Sequence, residues 1–397
     1  MMPKYRFNRN EFAGSLGDLG TILPLALGMI MVNGLSPMGV FFSMGLFYAL
    51  TGVYYGLTVP VEPMKVIGAY AIATAMSVQQ IQASTLLMAG TLALIAATGS
   101  IDRFGRYIPK AVIRGIQVST GLLLMVKGVE MMGGNSTIQH LKNLAEPYLT
   151  LQTLGPLPIG LVIGTLGIIT TLGFLNNRKL PAGLIVILLG MVIGLVFGTG
   201  EGLDALSPGL YFPELLPHGF PSGADFSFVI LAVVLPQMPM TLGNAVLAQA
   251  DLSKDYFGDA AEKMTYASLC VSMAAGNVLS FLFGGMPMCH GAGGLAAHYR
   301  FGAKTAGSNL IIGGLMMGLP LILGAGFLSI LFLIPMAILG VLLIFAGSQL
   351  AMTIIDMNTR NEIFVVTVIL AVTLASNLAI GAVVGMVLAH SLKRIEV

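Results

Sequence analysis

The chain has little charge. Of its 397 residues 9% are charged, 19 basic and 17 acidic, against 56% apolar, and the mean hydropathy is +0.90. Soluble domains carry about 25% charged residues. A chain this poor in charge cannot clothe a water-facing surface of its size, so a soluble enzyme, a nucleic-acid binder and a disordered scaffold are excluded together. The net charge of +2 gives no footing for nucleic acid or another polyanionic partner. Tryptophan is absent, so any aromatic belt at a lipid interface falls to tyrosine and phenylalanine. The two cysteines, Cys270 and Cys289, lie in apolar stretches and offer neither a disulfide framework nor a zinc spacing. There is no nucleotide-binding loop, metal-ligand cluster or catalytic triad pattern, so no cofactor, no metal and no enzymatic activity are expected. Residues 1–11 are polar and basic, and the apolar run behind them is too long for the core of a signal peptide. What remains is a polytopic protein of the membrane, in contact with lipid.

The long apolar runs define the organisation. A helix crossing a bilayer needs about 20 apolar residues. The first half reads as spans at 12–32, 38–59, 81–98, 108–131, 157–175 and 181–197, with a shorter, interrupted segment at 64–76 in third place. The second half reads as spans at 226–249, 266–283, 306–325, 327–349, 363–378 and 381–392, with a short segment at 291–299, again third. A polar stretch covers 133–155, and a charged connector at 251–263 is expected to form a short surface helix. The predicted fold is all-α, a seven-plus-seven transmembrane inverted repeat: a first repeat at 1–199, an acidic extracytoplasmic loop at 200–224 and a second repeat at 225–397. Seven is odd, so the second half enters the membrane from the other side. Charge placement agrees. With both termini inside, sixteen basic residues fall on the inner side, among them Lys4, Arg103, Arg106, Lys110, Arg114, Arg178, Lys179 and Arg394, and only Lys127 and Lys142 on the outer.

The interrupted third segments hold the chemistry. Pro60 and Pro63 cannot belong to a continuous helix, so 59–62 reads as extended chain at membrane depth with a half-helix opening near Met64. Pro287 gives the same reading before His290 and Gly291. In an inverted repeat the two half-helices point their N-termini, with their free N–H groups, at one another near the midplane, where they form an anion site. Gly291, Gly293 and Gly294 let a ligand approach the backbone. Lys65 within a membrane segment needs a partner. Glu62 either simply neutralises it or carries a proton beside a Lys65 that faces the ligand. Asp18 and Thr21 in the first span are polar at depth. Asp18 either works at the site or caps and pairs near the inner end of its helix. Gln237, Thr241 and Asn244 in the first span of the second half either hydrogen-bond an oxygen-rich ligand or hold helices together. His290 either contacts an oxyanion or proton, or caps its own half-helix. Cys289 reads mainly as packing.

Four blocks carry a family resemblance. They are Phe12-Ala13-Gly14-Ser15-Leu16-Gly17-Asp18-Leu19-Gly20-Thr21, Pro60-Val61-Glu62-Pro63-Met64-Lys65, Leu235-Pro236-Gln237-Met238-Pro239-Met240-Thr241-Leu242-Gly243-Asn244, and Pro287-Met288-Cys289-His290-Gly291-Ala292-Gly293-Gly294-Leu295-Ala296. Together they resemble the molybdate-transporter family allied to the SulP sulfate permeases. The resemblance implies the inverted-repeat fold shared with SulP and uracil-permease carriers. It implies a core domain holding the half-helices, a gate domain as scaffold and uptake of a tetrahedral oxyanion. Homodimers are implied by the resemblance alone. The expected substrate-binding set is Asp18, Thr21, Glu62, Met64, Lys65, Gln237, Thr241, Asn244, Cys289, His290, Gly291, Ala292 and Gly293. Two departures stand out. The sequence ends at Val397 without the STAS domain typical of SulP proteins, which suits the molybdate branch. Relatives often have glutamine where this chain has Glu62.

The expected function is secondary active import of molybdate across the plasma membrane by alternating access, with protons as the coupling ion and Asp18, Glu62 and His290 as candidate carriers. A dianion entering against a negative interior costs about 2.3 kcal/mol per charge per 100 mV, and co-transported protons offset that cost. A sulfate or general oxyanion permease of the same fold is the alternative. A nucleobase permease would want an acid near Gln237. A channel would show flux that does not saturate. An intramembrane enzyme lacks a paired nucleophile and base.

Overall fold

The computed structural model describes residues 5–101, 109–175, 177 and 181–395. Lys4, Arg103, Arg106, Arg178 and Lys179 of the charge pattern lie outside them. The chain begins with α1 (Arg9–Ser15), whose first N–H groups are capped by the Asn8 side chain, and α2 (Leu19–Met31). The expected first span is thus two helices, bent by 43° at Leu16–Asp18. Next comes α3 (Pro37–Tyr55), with Ser36 as cap, proline in its first turn and Gly56 in the left-handed conformation closing it. The strand β1 (Glu62–Pro63) and the half-helix α4 (Lys65–Thr74) follow, then α5 (Val78–Thr98) and α6 (Lys110–Met132). A short α7 (Thr137–Lys142) and a small hairpin, β2 (Thr153–Leu154) with β3 (Leu157–Pro158), fill the polar stretch before α8 (Ile159–Phe174) and α9 (Ala182–Phe197).

The second half opens with α10 (Gly223–Ala261), a continuous run of helical segments. Pro236 and Pro239 sit inside it, between wider turns at Ile230–Val234 and Thr241–Ala248, which accommodate the missing N–H groups without breaking the run. The connector up to Phe257 is therefore an extension of this helix, whose last α-helical segment Gly258 ends at positive φ before a single 3-10 turn at Gly258–Ala261. Then come α11 (Tyr266–Leu282), β4 (Met288–Cys289), the half-helix α12 (Ala292–Phe301) and α13 (Ala306–Leu323). The expected span at 327–349 divides into α14 (Phe327–Leu331) and α15 (Met336–Ala351). The chain closes with α16 (Arg360–Ala375) and α17 (Leu378–Ile395). Among the described residues six helices are long and apolar enough to cross a membrane, seven if the bent pair is one span, and five shorter apolar helices accompany them.

Close helix crossings hold the bundle. Without a hydrophobic drive between helices in lipid, small residues let backbones meet. A Cβ on Gly128 would lie 2.4 Å from the Gly340 carbonyl and one on Gly340 2.5 Å from the Gly128 carbonyl, so α6 and α15 touch backbone to backbone. The same reciprocity recurs one heptad away at Gly121 and Gly347. Gly45 and Gly313 bring α3 and α13 together in the same manner, at 2.6 and 2.7 Å.

The break before α15 has a partner far away in sequence. Pro335 cannot continue a helix from α14, and α15 starts with two free N–H groups, on Met336 and Ala337. Both donate to the buried carboxylate of Glu146, in the connector after α7, at 2.9 and 2.8 Å. Burial pushes the Glu146 carboxyl up to about 7, further than those two N–H groups pull it down. An unfolded glutamate titrates near about 4.3. The folded protein therefore binds a proton more readily than the unfolded chain, and the resulting stability is present below pH 4 and lost as pH rises to about 7. In detergent the melting temperature is expected to fall between pH 5 and 7. Glu146→Gln should flatten that part of the profile, and an unchanged slope would show that other groups set it.

Candidate functional site

Two proline-bearing breaks meet in the interior. β1 pairs antiparallel with β4, Glu62 opposite Cys289 and Pro63 opposite Met288, and the Met64 N–H donates to the Pro287 carbonyl at 2.9 Å. Such backbone survives at membrane depth only if its polar groups are paired by protein. Asn309 on α13 accepts from the Val59 N–H at 2.9 Å and donates to the Val59 carbonyl at 2.8 Å. Asn277 on α11 does the same for Met288, at 2.9 and 2.7 Å. Gln82 on α5 and Ser280 on α11 donate to the carbonyls of Gly285 and Met286, both at 2.6 Å. Four buried polar side chains thus fix where α4 and α12 begin.

The starts of both half-helices are engaged. At α4, the N–H groups of Val66 and Ile67 donate to Gln237 Oε1 at 2.9 and 3.2 Å, while Gln237 Nε2 donates to Thr241 Oγ1 at 2.9 Å. At α12, the Gly294 N–H donates to Glu62 Oε1 at 2.9 Å. The other carboxylate oxygen of Glu62 pairs with Lys65 Nζ at 2.7 Å. Asp18 closes the group from the bend between α1 and α2. It is buried, and its Oδ2 has no hydrogen-bond partner among the described residues. A Cβ placed on Gly294 would lie 2.5 Å from Glu62 Oε1 and 2.7 Å from Asp18 Oδ2, so the two carboxylates converge on the same piece of backbone.

These groups form one end of a cavity of about 550 Å³ between the half-helices and the α6, α8, α9 and α15 helices. Of the residues singled out in the sequence, Asp18, Thr21, Glu62, Lys65, Asn244, Gly293 and Gly294 line it. Met64, Gln237, Thr241, Cys289, His290, Gly291 and Ala292 do not. Gly291 and Ala292 form the cap and first turn of α12, and Gln237 with Thr241 caps α4. His290 is buried with both ring nitrogens engaged, Nδ1 to the Pro60 carbonyl at 2.8 Å and Nε2 to Ser272 Oγ at 2.7 Å. A carbonyl only accepts, so Nδ1 carries the proton, and the ring is a strut between β4 and the first break rather than a wall of the cavity. Asn244 completes the wall from α10.

The sequence reading missed the opposite wall. Arg114 and Gln117 of α6, and Gln349 and Thr353 near the end of α15, face the cavity. Arg114 donates to Gln117 Oε1 at 2.8 Å and pairs with Asp356. Their signal was the i, i+3 spacing of Arg114 and Gln117, which puts both on one helix face.

Paired half-helices opening onto a cavity with charged groups on its walls, inside an apolar bundle, define a multi-pass membrane transporter, and solved structures agree on the fold. The transmembrane domain of the cyanobacterial bicarbonate transporter BicA superposes with a TM-score of 0.64 at 18% identity, covering 97% of this chain and 98% of that one. Murine Solute Carrier 26 family member A9, an anion transporter solved in an inward-facing state, gives 0.69 at 15% identity over all of this chain and 70% of its own. In sequence, the family described as "Molybdate transporter of MFS superfamily" matches residues 10–124 and 229–350. Molybdate transporter 2 of Arabidopsis thaliana is 32% identical, covering 97% of this chain and 87% of that protein. Molybdate transporter 1 of Chlamydomonas reinhardtii is 28% identical over 95% and 90%. The chain belongs to the molybdate transporter family, whose named members are transporters and not enzymes.

Proposed function

We propose that this protein imports molybdate by secondary active transport, with protons as the coupling ion and the site between the α4 and α12 starts as the seat of the anion. The observation that carries this reading is Lys65, held at the cavity wall between two helix N-termini. A cation and oriented N–H groups favour an oxyanion there. Asp18 and Glu62 supply the proton sites: with both ionised, their charge outweighs that of Lys65 and opposes a dianion, so binding calls for at least one proton. His290, as a strut, has no part in this scheme.

The packing supports a seven-plus-seven inverted repeat. Counting segments from each half, second packs on fourth across the halves twice, as α3 with α13 and as α11 with α5. Exchange of the halves maps each of these pairs onto the other. The half-helices and these four helices make the core, and α6, α8, α9 and α15 to α17 the gate. The cavity reaches the end of the bundle where Arg114 and Asp356 lie, the inner end by the positive-inside pattern, so the conformation reads as inward-facing, with both termini in the cytoplasm of the cell. The gate then moves against the core to expose the same seat to the other side.

The test is molybdenum accumulation in cells expressing the protein at submicromolar molybdate, with and without excess sulfate and with a collapsed pH gradient. Saturable uptake that resists sulfate and needs the gradient is the expected result. Uptake abolished by sulfate would make the protein a general oxyanion permease, and uptake indifferent to the gradient would remove proton coupling.

A further inference from the structure

Resting on the reading of this seat as an oxyanion site, we propose that the Glu62 carboxylate is a tethered competitor for it. Glu62 takes the Gly294 N–H at the start of α12 and the Lys65 ammonium at once, and these are the donors a bound oxyanion needs. A carboxylate in this position is chemically an anion already seated. An incoming oxyanion displaces it, and displacement is favourable only when Glu62 takes up a proton, because two like charges cannot share one cation in a buried site. Protonated Glu62 loses its hold on Lys65 and keeps hydrogen-bonding capacity for the neighbouring Asp18 carboxylate. Proton binding and anion binding are then a single exchange at Glu62, which is a coupling device and a threshold on affinity together.

Among the described residues the titratable groups that face Glu62 are few. They are Lys65 on its own segment, Asp18 at the α1–α2 bend, Tyr48 on α3, Cys289 and His290 at β4 and His298 on α12. Lys65 is the one cation among them. His290 is fully engaged, and His298 is buried with its Nδ1 on Thr58 Oγ1 at 2.8 Å. Asp18 is the other carboxylate able to take the proton, so the test must separate the two.

The experiment is anion binding to the purified full-length protein between pH 5.5 and 8, with molybdate and sulfate as probes. Calorimetry in buffers of different ionisation enthalpy counts the protons taken up on binding. In the wild type, affinity should fall as pH rises, with about one proton taken up per anion at the upper end. Glu62→Gln should raise affinity at pH 8 about tenfold, within the usual range for such couplings. It should also flatten the pH dependence and lower the proton count by about one. Glu62→Asp, which keeps the charge but withdraws it from Gly294 by one methylene, should keep the pH dependence and still bind more tightly than wild type. A merely structural Glu62 would change affinity without changing the proton count. The proposal fails if Glu62→Gln keeps the wild-type count and slope, if it inserts correctly but binds no anion, or if the proton is lost in Asp18→Asn instead. A wild type that binds neither anion at any pH overturns the oxyanion reading, and this inference with it.

Discussion

Lys65→Ala is expected to abolish molybdate uptake, lowering kcat/KM by at least about a hundredfold in protein that is correctly inserted. Lys65 Nζ sits 2.7 Å from Glu62, whose side chain is almost wholly buried, while Lys65 itself keeps some exposure on the cavity wall. Removing one partner of a buried pair costs about 3–5 kcal/mol, because the other charge is left uncompensated. Here the damage is double. Glu62 and Asp18 remain as two carboxylates around the Gly294 N–H, and together they repel the anion that Lys65 would have attracted. Combining Lys65→Ala with Glu62→Gln removes the stranded charge and should restore protein yield and melting temperature while uptake stays low. That split separates the role of Lys65 toward its partner from its role toward the substrate. Lys65→Arg keeps the charge on a longer, forked head and should retain part of the uptake with a raised KM. A Lys65→Ala protein with wild-type KM would move the seat elsewhere.

The sequence made the breaks and the buried charges legible wherever a residue type violated its surroundings. Pro60, Pro63 and Pro287 interrupt apolar runs and lack the N–H a helix needs, so the breaks were visible. Lys65 and Glu62 are charges in a stretch that should carry none, and their spacing announced a pair. Other features depend on partners that no local pattern names. α15 starts after Pro335 because Glu146, 190 residues from Met336, supplies the acceptor for its first N–H. Pro236, Pro239 and Pro320 remain inside helices, so proline alone did not mark the difference. Gln237 was visible as a polar residue at depth, but its task of capping α4 follows from the approach of α10 to that half-helix. Arg114 sits where a span begins, and there the positive-inside pattern already accounts for an arginine. Its place on the cavity wall comes from the way α6 crosses α15. His290 shows the converse: the residue type suggests a proton carrier, and its two hydrogen bonds make it a strut.

Gly294→Ala is expected to have the second largest effect, a loss of uptake of about a hundredfold expressed mainly as a raised KM. The added Cβ would lie 2.5 Å from Glu62 Oε1, 2.7 Å from Asp18 Oδ2 and 2.7 Å from Pro60 Cβ. None of these can yield cheaply. Glu62 is held by Lys65, Asp18 is packed at the bend of its helices and Pro60 is fixed by its ring and by His290. Overpacking of this kind costs about 1–3 kcal/mol, and the strain is relieved most easily by moving the α12 start away from β1. That movement carries the Gly294 N–H out of the seat, and a lost hydrogen bond to a charged group costs about 1.5–3 kcal/mol, about ten- to a hundredfold in affinity. Gly293→Ala is the matched control. Its Cβ would meet nothing within 4 Å and would project toward the cavity that Gly293 lines. It should leave the melting temperature unchanged and reduce uptake far less, with larger oxyanions affected more than smaller ones. Uptake and melting temperature measured on both variants decide the matter. Equal losses in the two would assign the effect to cavity space, and a Gly294→Ala protein with wild-type KM would remove the start of α12 from the seat.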